Sequence, residues 1–285
     1  MDVTNPNSSG VLIRQTERQE RIPGTAQEAL SQHWPEYLME AAELGIFMIS
    51  ACAFTVLLFH PSSPISNSIH TDLLRRMLMG VAMGSTAIAI IFSPLGKRSG
   101  GHFNPAVTLV YFTLRKIKPW DAAFYTLFQF GGGIAGVIVA SLVLGNSLQH
   151  ANVKYAVTVP GQFGSSPAFF AELTITFILM SVILNLSNSK RLGRWTGVFA
   201  GILVAIYITI ESPISGMSMN PARTLGSATS AQIWTGLWIY FVAPPAGMLL
   251  AAGGFKHFAS RKSVVCAKLH HHNNERCIFN CNFEG

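Results

Sequence analysis

Charged side chains are scarce in this chain of 285 residues: aspartate, glutamate, lysine and arginine make up only 12% of it. Hydrophobic residues make up 49%, and the long stretches 77–95, 122–151 and 224–255 contain no charged residue at all. These stretches reach or exceed the roughly 20 residues that a helix needs to cross the hydrocarbon core of a bilayer. A soluble domain does not normally contain several of them, so the sequence predicts an integral membrane protein.

Sequence signatures of enzymes are also missing. The chain has no glycine-rich nucleotide-binding loop, no nucleophile elbow and no paired catalytic constellation, so we expect neither an enzyme nor a bound cofactor. No cleavable signal peptide is expected, because the first residues are polar and lack an apolar segment. Residues 1–36 are predicted to form a flexible cytoplasmic tail.

Most basic residues outside the N-terminal segment lie in short stretches that flank the apolar segments, with Arg75 and Arg76 at the start of the second span as the exception. The formal net charge is +7, but the basic residues form no continuous face, so no nucleic-acid partner is expected. Most of them occur in four connections, at 97–98, 115–118, 190–194 and 256–262. The alternate connections 60–71 and 145–167 contain only Lys154. By the positive-inside rule, we expect the four basic connections and both termini in the cytoplasm. We also expect a multi-pass protein of the plasma or inner membrane.

Six membrane-spanning helices are predicted from the apolar stretches, which indicates an all-α membrane protein. They cover about 37–59, 72–93, 119–145, 168–188, 195–211 and 232–256. Six crossings return the chain to the side on which it started, in agreement with the distribution of basic residues.

The two halves of the chain resemble each other. Ala-Glu-Leu at 42–44 recurs at 171–173, and Asn-Pro-Ala at 104–106 recurs at 220–222. Because three crossings separate the copies, the second copy starts from the opposite side of the membrane and the repeat is inverted. The equivalent loops of an inverted repeat lie near the bilayer midplane.

Each Asn-Pro-Ala tripeptide predicts the start of a helix. Asparagine is a favoured helix N-cap and proline is favoured at the first helical position. The helix-compatible sequence that follows is too short to span a bilayer, and broken backbone at membrane depth is tolerated only inside protein or along a water-filled cavity. Two such half-helices from opposite sides would bring Asn104 and Asn220 together, with both positive dipole ends at the centre, where they repel cations and protons.

The stretches SGGHFNPAVTL and SGMSMNPARTLGSA, within six predicted spans in an inverted repeat, resemble the major intrinsic protein family, the aquaporins and aquaglyceroporins. The resemblance covers about 37–258, with repeats at about 37–145 and 168–258, and leaves out both tails. It implies six transmembrane helices plus two half-helices, a passive pore in each subunit and a homotetramer. The pore residues that it implies at the two motifs are Asn104, Pro105, Ala106, Asn220, Pro221 and Ala222.

The resemblance also implies a selectivity filter towards the outer face, made of an arginine and three other side chains. Arg223 follows the second motif and takes the arginine role. Counting back from the two asparagines assigns the other positions to Gly84, Ile208 and Met217. Strict water channels of the family carry a bulky aromatic and a histidine at the first two of these positions, so we expect a wider filter here. Two alternatives stay open: Gly84 could pack against another helix, and Ile208 could face lipid.

Ionisable residues near the spans have two interpretations. Family resemblance implies that Glu43 and Glu172 anchor backbone amides of the two Asn-Pro-Ala loops, whereas two membrane carboxylates could also form a proton relay. Glu40 is expected at the interface. His102 is expected to line the cytoplasmic half of the pore, with a core or gating histidine as the alternative.

The C-terminal tail, residues 259–285, is rich in cysteine and histidine and is predicted to lie in the cytoplasm. Thiolates and imidazoles at this density are candidate ligands for zinc or another transition metal. The candidate residues are Cys266, His270, His272, Cys277 and Cys281. Their spacing fits no familiar zinc module, so a polar tail without a metal is the alternative.

The function expected from these features is a passive transmembrane channel. It would admit water and small uncharged solutes such as glycerol, urea and metalloid acids, and the paired half-helices and the arginine would exclude protons and ions. The alternatives are a proton-coupled secondary transporter, because inverted repeats with broken helices also build those, and a non-conducting member of the fold with a metal-binding tail. The expected partners are water, small neutral solutes and the lipid bilayer.

Overall fold

The computed structural model describes residues 24–258 and 264–283, and within them every regular element is helical. The predictions made for residues 1–23 and 259–263 lie outside the described residues. In chain order, the α-helices are α1 (Ala26–Phe59), α2 (Pro64–Ser68), α3 (Asp72–Phe92), α4 (Pro94–Ser99), α5 (Pro105–Thr113), α6 (Pro119–Leu144), α7 (Ser165–Ser187), α8 (Thr196–Ile210), α9 (Ser212–Ser215), α10 (Pro221–Ala231) and α11 (Leu237–Phe258). Short 3-10 turns cover Gly145–Gln149, Lys154–Ala156 and Gly193–Trp195.

Six of these helices are long and apolar enough to cross a membrane. They are α1, α3, α6, α7, α8 and α11. Their bounds agree with the predicted spans to within a few residues, apart from the beginning of α1 and of α11. The predicted all-α fold with six spans is therefore confirmed.

Helix α1 begins at Ala26, well inside the segment that was predicted to be a tail. A capping box explains the start: Glu28 N donates to Thr25 Oγ1 (3.2 Å), and Thr25 N donates to the Glu28 carboxylate (3.3 Å). The polar first turns are also held by tertiary contacts, since the His33 ring lies 2.7 Å from the buried carboxylate of Asp121. The prediction of a tail up to residue 36 was wrong because the partner of this polar segment is distant in sequence.

Glycines bring the spanning helices together in pairs. A Cβ atom added at Gly132 of α6 would come within 3.0 Å of the Ala41 backbone in α1, and one added at Gly84 of α3 would come within 3.0 Å of the Gly201 carbonyl in α8. Small residues at such contacts let helix backbones approach closely. The pairs α1–α6 and α3–α8 form the sides of the bundle, and α7 packs against α11.

The half-helices α5 and α10 have 9 and 11 residues. At 1.5 Å per residue, they are roughly half as long as a bilayer core is thick. Helix α10 packs on α6, where Gly226 lies against the backbone of Gly133, and α5 packs on α11. Both half-helices begin inside the bundle, and their N-termini face each other, because the side chains of Asn104 and Asn220 each reach the opposite loop.

The bundle has two faces, at its two ends. The terminal face, on which α1 begins and α11 ends, also carries 93–101, 114–118, 188–195 and 264–283. The opposite face carries 60–71, 145–164 and 211–216.

Candidate functional site

The two asparagines form a reciprocal pair at the centre of the bundle. The side-chain amide of Asn104 donates to Met219 O (2.8 Å), and that of Asn220 donates to Phe103 O (2.7 Å). Each asparagine also caps its own helix. Asn104 Oδ1 accepts a hydrogen bond from Ala106 N (2.9 Å), and Asn220 Oδ1 accepts one from the backbone amide two residues further along the chain (3.0 Å). Each side chain thus fixes the start of one half-helix and ties it to the other.

A buried carboxylate holds the backbone before the second asparagine. Glu172 Oε1 accepts Ser218 N and the Ser215 hydroxyl, both at 2.7 Å, and Oε2 accepts Met219 N at 2.7 Å. Met219 has a left-handed backbone with φ of 56°, which is unfavourable for a residue with a Cβ atom. The predicted loop-anchoring role of Glu172 agrees with these contacts, since the three hydrogen bonds fix a conformation that the chain would not adopt alone.

In the first half, the equivalent carboxylate is Glu40 rather than Glu43. Glu40 accepts His102 N (3.0 Å) and Phe103 N (2.6 Å), and Phe103 has the same left-handed conformation, with φ of 30°. Glu40 also accepts a hydrogen bond from Gln129 Nε2 at 2.7 Å and is fully buried. The prediction of an interfacial Glu40 was wrong.

Glu43 contacts the first loop at one atom. Its Oε1 atom accepts the Ser99 hydroxyl at 2.6 Å, and Glu43 binds no loop amide among the described residues. The repeat of Ala-Glu-Leu drew attention to Glu43, but Glu40 lies on the same helix face three residues earlier. The sequence pattern could not decide between two glutamates on one face, and the loop geometry does.

A cavity of about 430 Å³ runs past the asparagine pair between the two faces. Towards the opposite face its wall contains Phe59 and Asn152, and towards the terminal face it contains Ile91 and Leu269. The wall is mainly apolar. Four flexible methionine side chains contribute to it, which makes its width adaptable: Met79, Met83, Met217 and Met219.

Arg223 lies in the cavity wall, as does Arg76. Arg223 belongs to the first turn of α10 and is 9% exposed. The Nη1 atom has no hydrogen-bond partner within the described residues. A buried guanidinium without a complete set of partners costs free energy, so the conformation of Arg223 must be held by the surrounding fold.

Glu211, at the end of α8 beyond the spanning segment, does not offset this charge. It is 5% exposed and lies outside the cavity wall. Burial, and to a smaller extent the nearby carboxylate of Glu172, raise the pKa of Glu211 to about 8. At pH 7 the Glu211 carboxyl is therefore mostly protonated.

The filter positions inferred by counting are not all in the cavity wall. Ile208, Met217 and Arg223 line the cavity, as the predicted filter requires. Gly84 does not: its missing side chain would point into the backbone of α8 near Gly201. Met83, the preceding residue, lines the cavity instead. The assignment of Gly84 was wrong because an offset in sequence does not fix the rotation of a helix.

Gly84→Ala should therefore destabilise the fold. An added methyl group within 3.0 Å of the Gly201 carbonyl forces the helices apart, which we expect to lower the free energy of unfolding by about 1–3 kcal/mol. The apparent unfolding temperature in detergent measures this loss. Gly131→Ala is the matched control, because a Cβ atom at Gly131 meets nothing within 4 Å. Equal unfolding temperatures for the two variants would contradict the helix-contact role of Gly84.

His102 lies in the cavity wall towards the terminal face, as predicted. Its Nδ1 atom is 3.1 Å from the Thr108 hydroxyl, and its Nε2 atom is 2.8 Å from Ala267 O in the C-terminal segment. The His102 side chain is 2% exposed, so the C-terminal segment covers it. No sequence pattern indicated this contact.

The candidate metal ligands of the tail are only partly brought together. The three cysteines 266, 277 and 281 lie close to His271, whereas His270 packs against Phe92 and His272 lies against Phe283. The structure therefore replaces the predicted His270 and His272 by His271.

Comparison with known proteins shows the family to which this chain belongs. Residues 29–255 match the family model described as major intrinsic protein. Aquaporin NIP2-3 of Zea mays is 32% identical over 79% of this chain and 73% of its own length, and glycerol uptake facilitator protein-like 6 of Lactiplantibacillus plantarum is 36% identical over 62% and 82%. Two Arabidopsis thaliana NIP4 aquaporins are 35% identical over 61% of this chain, and the match spans only 59% of their length.

The fold has a solved counterpart. The aquaglyceroporin from Plasmodium falciparum superposes with a TM-score of 0.65 over 79% of this chain and 96% of its own, at 18% identity. At that identity the likeness shows the fold alone. From the family match, this chain belongs to the major intrinsic protein family, whose members are membrane channels for water and small neutral solutes rather than enzymes.

Proposed function

We propose that this protein is a passive channel that conducts water and small uncharged solutes and excludes protons and ions. The observation that carries the proposal is the cavity between the two faces, with the reciprocal Asn104–Asn220 pair in its wall. A permeant molecule can exchange hydrogen bonds with these polar groups, while most of the wall is apolar and binds it weakly. Weak binding at several sites is what fast conduction requires.

Ion exclusion follows from the charges around the cavity. The N-termini of α5 and α10 face the centre, and each carries a partial positive charge of roughly half an elementary charge. Arg223 adds a full positive charge in the same wall. No carboxylate of the described residues lines the cavity, so a cation or proton would meet repulsion without compensation.

The wall supports solutes larger than water. Strict water channels of the family carry a bulky aromatic and a histidine at the filter, whereas Ile208 and Met217 line this cavity with an aliphatic and a flexible side chain. Such a wall suits solutes that have an apolar carbon side and several hydroxyl or amide groups, such as glycerol and urea. The similarity to a glycerol uptake facilitator protein supports this choice.

Stopped-flow light scattering on proteoliposomes tests the proposal. We expect fast shrinkage in an impermeant osmolyte and fast re-swelling in glycerol, urea and boric acid. Both should be unchanged by a protonophore, because no coupled proton is needed, whereas re-swelling that follows an imposed pH gradient would favour the proton-coupled transporter. Fast water flow without solute entry would restrict the protein to water.

An aromatic side chain at position 208 should slow glycerol more than it slows water. In Ile208→Phe the added volume narrows the cavity, so we expect re-swelling in glycerol to slow by about tenfold or more while water flow falls less. Ile206→Phe in the same helix is the matched control, because Ile206 is 44% exposed on the outer surface of the bundle. Equal glycerol rates in the two variants would remove Ile208 from the filter.

The placement of the protein in the cell is part of the proposal. The basic connections lie on the terminal face, which by the positive-inside rule is the cytoplasmic face. Assembly as a homotetramer stays a prediction from the family, with one pore in each subunit.

A further inference from the structure

Residues 264–283, here called the tail cap, pack on the terminal face of the bundle. Leu269 N donates to Gly100 O (3.0 Å), four residues before Asn104, and Asn280 N donates to Lys116 O (2.9 Å), three residues after the end of α5. The tail cap is therefore bound to both ends of the segment that carries the first half-helix.

The tail cap also covers the end of the cavity. Ala267 O lies 2.8 Å from His102 Nε2, and the Phe279 ring is stacked on the His102 ring with centroids 5.5 Å apart. Leu269 is itself part of the cavity wall. Ala267, Leu269 and Phe279 are all buried, so the tail cap occupies the position through which a solute would enter or leave.

Four side chains of the tail cap converge at one point. Their ligand atoms all lie within 4.8 Å of one another, and they belong to Cys266, His271, Cys277 and Cys281. Cys266 Sγ is 3.5 Å from Cys277 Sγ, and Cys281 Sγ is 2.9 Å from His271 Nε2. The sulfur separation is far longer than a disulfide bond, which measures about 2.05 Å.

This arrangement is close to that of a tetrahedral zinc centre. Bond lengths of about 2.3 Å to sulfur and 2.0 Å to nitrogen place the ligand atoms of three cysteines and one histidine roughly 3.5–3.8 Å apart. The Cys266–Cys277 sulfur pair is at 3.5 Å, the Cys281–His271 pair is closer at 2.9 Å, and all four atoms lie within 4.8 Å of one another, so small side-chain movements complete the site. Three cysteines and one histidine are a common ligand set for structural zinc. Phe283 N donates a hydrogen bond to Cys281 Sγ at 3.4 Å. Hydrogen bonds of this kind commonly orient the residues that bind a metal.

A metal would also explain why the tail cap is compact. The segment 264–283 contains no helix or strand, yet it buries Lys268, whose ammonium group donates to the carbonyls of Glu275 and Arg276 at 3.1 and 2.7 Å. A segment of this length cannot build a sufficient core alone, and small structures of this kind usually depend on disulfides or a metal. The four convergent ligands join parts of the segment near its start, its middle and its end.

We propose that the tail cap binds one Zn²⁺ ion through Cys266, His271, Cys277 and Cys281, and that the bound ion holds the cap closed over the cavity. Zinc would then lower conduction, and loss of zinc would release the cap and raise it. The metal site stands on the ligand geometry, and its effect on conduction rests on the proposed channel function.

Metal content of the full chain tests the site. Protein equilibrated with Zn²⁺ and dialysed should retain about one zinc per chain, and Co²⁺ in its place should show the absorption bands of tetrahedral thiolate coordination. We expect Cys281→Ser and His271→Ala to lose the metal, and the controls Cys52→Ser and His272→Ala to keep it. Equal zinc content in wild type and Cys281→Ser, or none in wild type, would overturn the site.

Permeability tests the cap. Protein is loaded with Zn²⁺ or stripped with a chelator before reconstitution, so that orientation in the vesicle does not matter. We expect water permeability of the wild type to rise about tenfold when zinc is removed, as a closed population opens. Cys281→Ser should conduct at the higher rate under both conditions.

A second variant separates the cap from the channel. Phe279→Ala keeps all four ligands but removes the ring stacked on His102, so it should bind zinc and still conduct. Zinc binding without any change in wild-type permeability would overturn the cap and leave the metal site. If stripped wild type and Phe279→Ala both fail to conduct water, the proposed channel function fails, while the metal content still decides the site.

Discussion

Glu172→Ala should abolish water permeability and prevent a stable fold in detergent. The substitution removes the acceptor of three hydrogen bonds at a fully buried position: two loop amides and the Ser215 hydroxyl. Each donor left unsatisfied in the interior costs about 1–3 kcal/mol, so the loss approaches the entire stability of an ordinary domain. The left-handed backbone at Met219 would then relax and displace Asn220.

Two variants in the first half of the chain test whether the number of loop amides bound sets the size of the effect. Glu40→Ala should be as damaging as Glu172→Ala, since Glu40 also accepts two loop amides. Glu43→Ala should be milder, because it removes the acceptor of only the Ser99 hydroxyl. Yield of monodisperse protein, apparent unfolding temperature and stopped-flow water permeability give three independent measures. If Glu43→Ala proved worse than Glu40→Ala, the anchoring role would return to Glu43.

Arg223→Val should make the channel leak protons while it still conducts water. Valine is the residue at the equivalent position 107 of the first repeat. Removing a unit charge from the cavity wall, at an effective dielectric constant near 20, lowers the electrostatic barrier for a cation by about 3 kcal/mol, or on the order of 100-fold in rate. Water flow should persist, because valine is smaller than arginine and leaves the Asn104–Asn220 pair intact.

Proton flux can be measured with a pH-sensitive dye inside proteoliposomes, driven by a potassium gradient and valinomycin. Arg223→Lys is the control: it keeps the positive charge and should remain proton-tight, although it loses the planar fork of donors. Val107→Ala should change nothing in proton flux. An Arg223→Val channel as proton-tight as the wild type would assign exclusion to the half-helix dipoles and Arg76, which also lines the cavity.

The sequence determined the features that depend on local physics. The six spans follow from the length and apolarity of their segments, and each half-helix begins at Asn-Pro because asparagine and proline favour a helix start in any surroundings. Most helix bounds lie within a few residues of their predicted positions. The inverted repeat could be inferred in the same way, since the number of crossings between two copies sets their relative orientation.

Tertiary structure decided the features that depend on which residues meet. Glu40 and Glu43 share a helix face, and only the position of the loop amides selects Glu40. Met83 and Gly84 are neighbours, and the rotation of α3 against α8 selects Met83 for the cavity.

The tail cap is the clearest case. Nothing in the order of its cysteines and histidines indicates that His271 completes the cluster, or that the segment covers His102. Such contacts join groups far apart in the chain, and their free energy depends on distance and direction in space. A linear pattern of residue types contains neither quantity, so the fold alone could assign them.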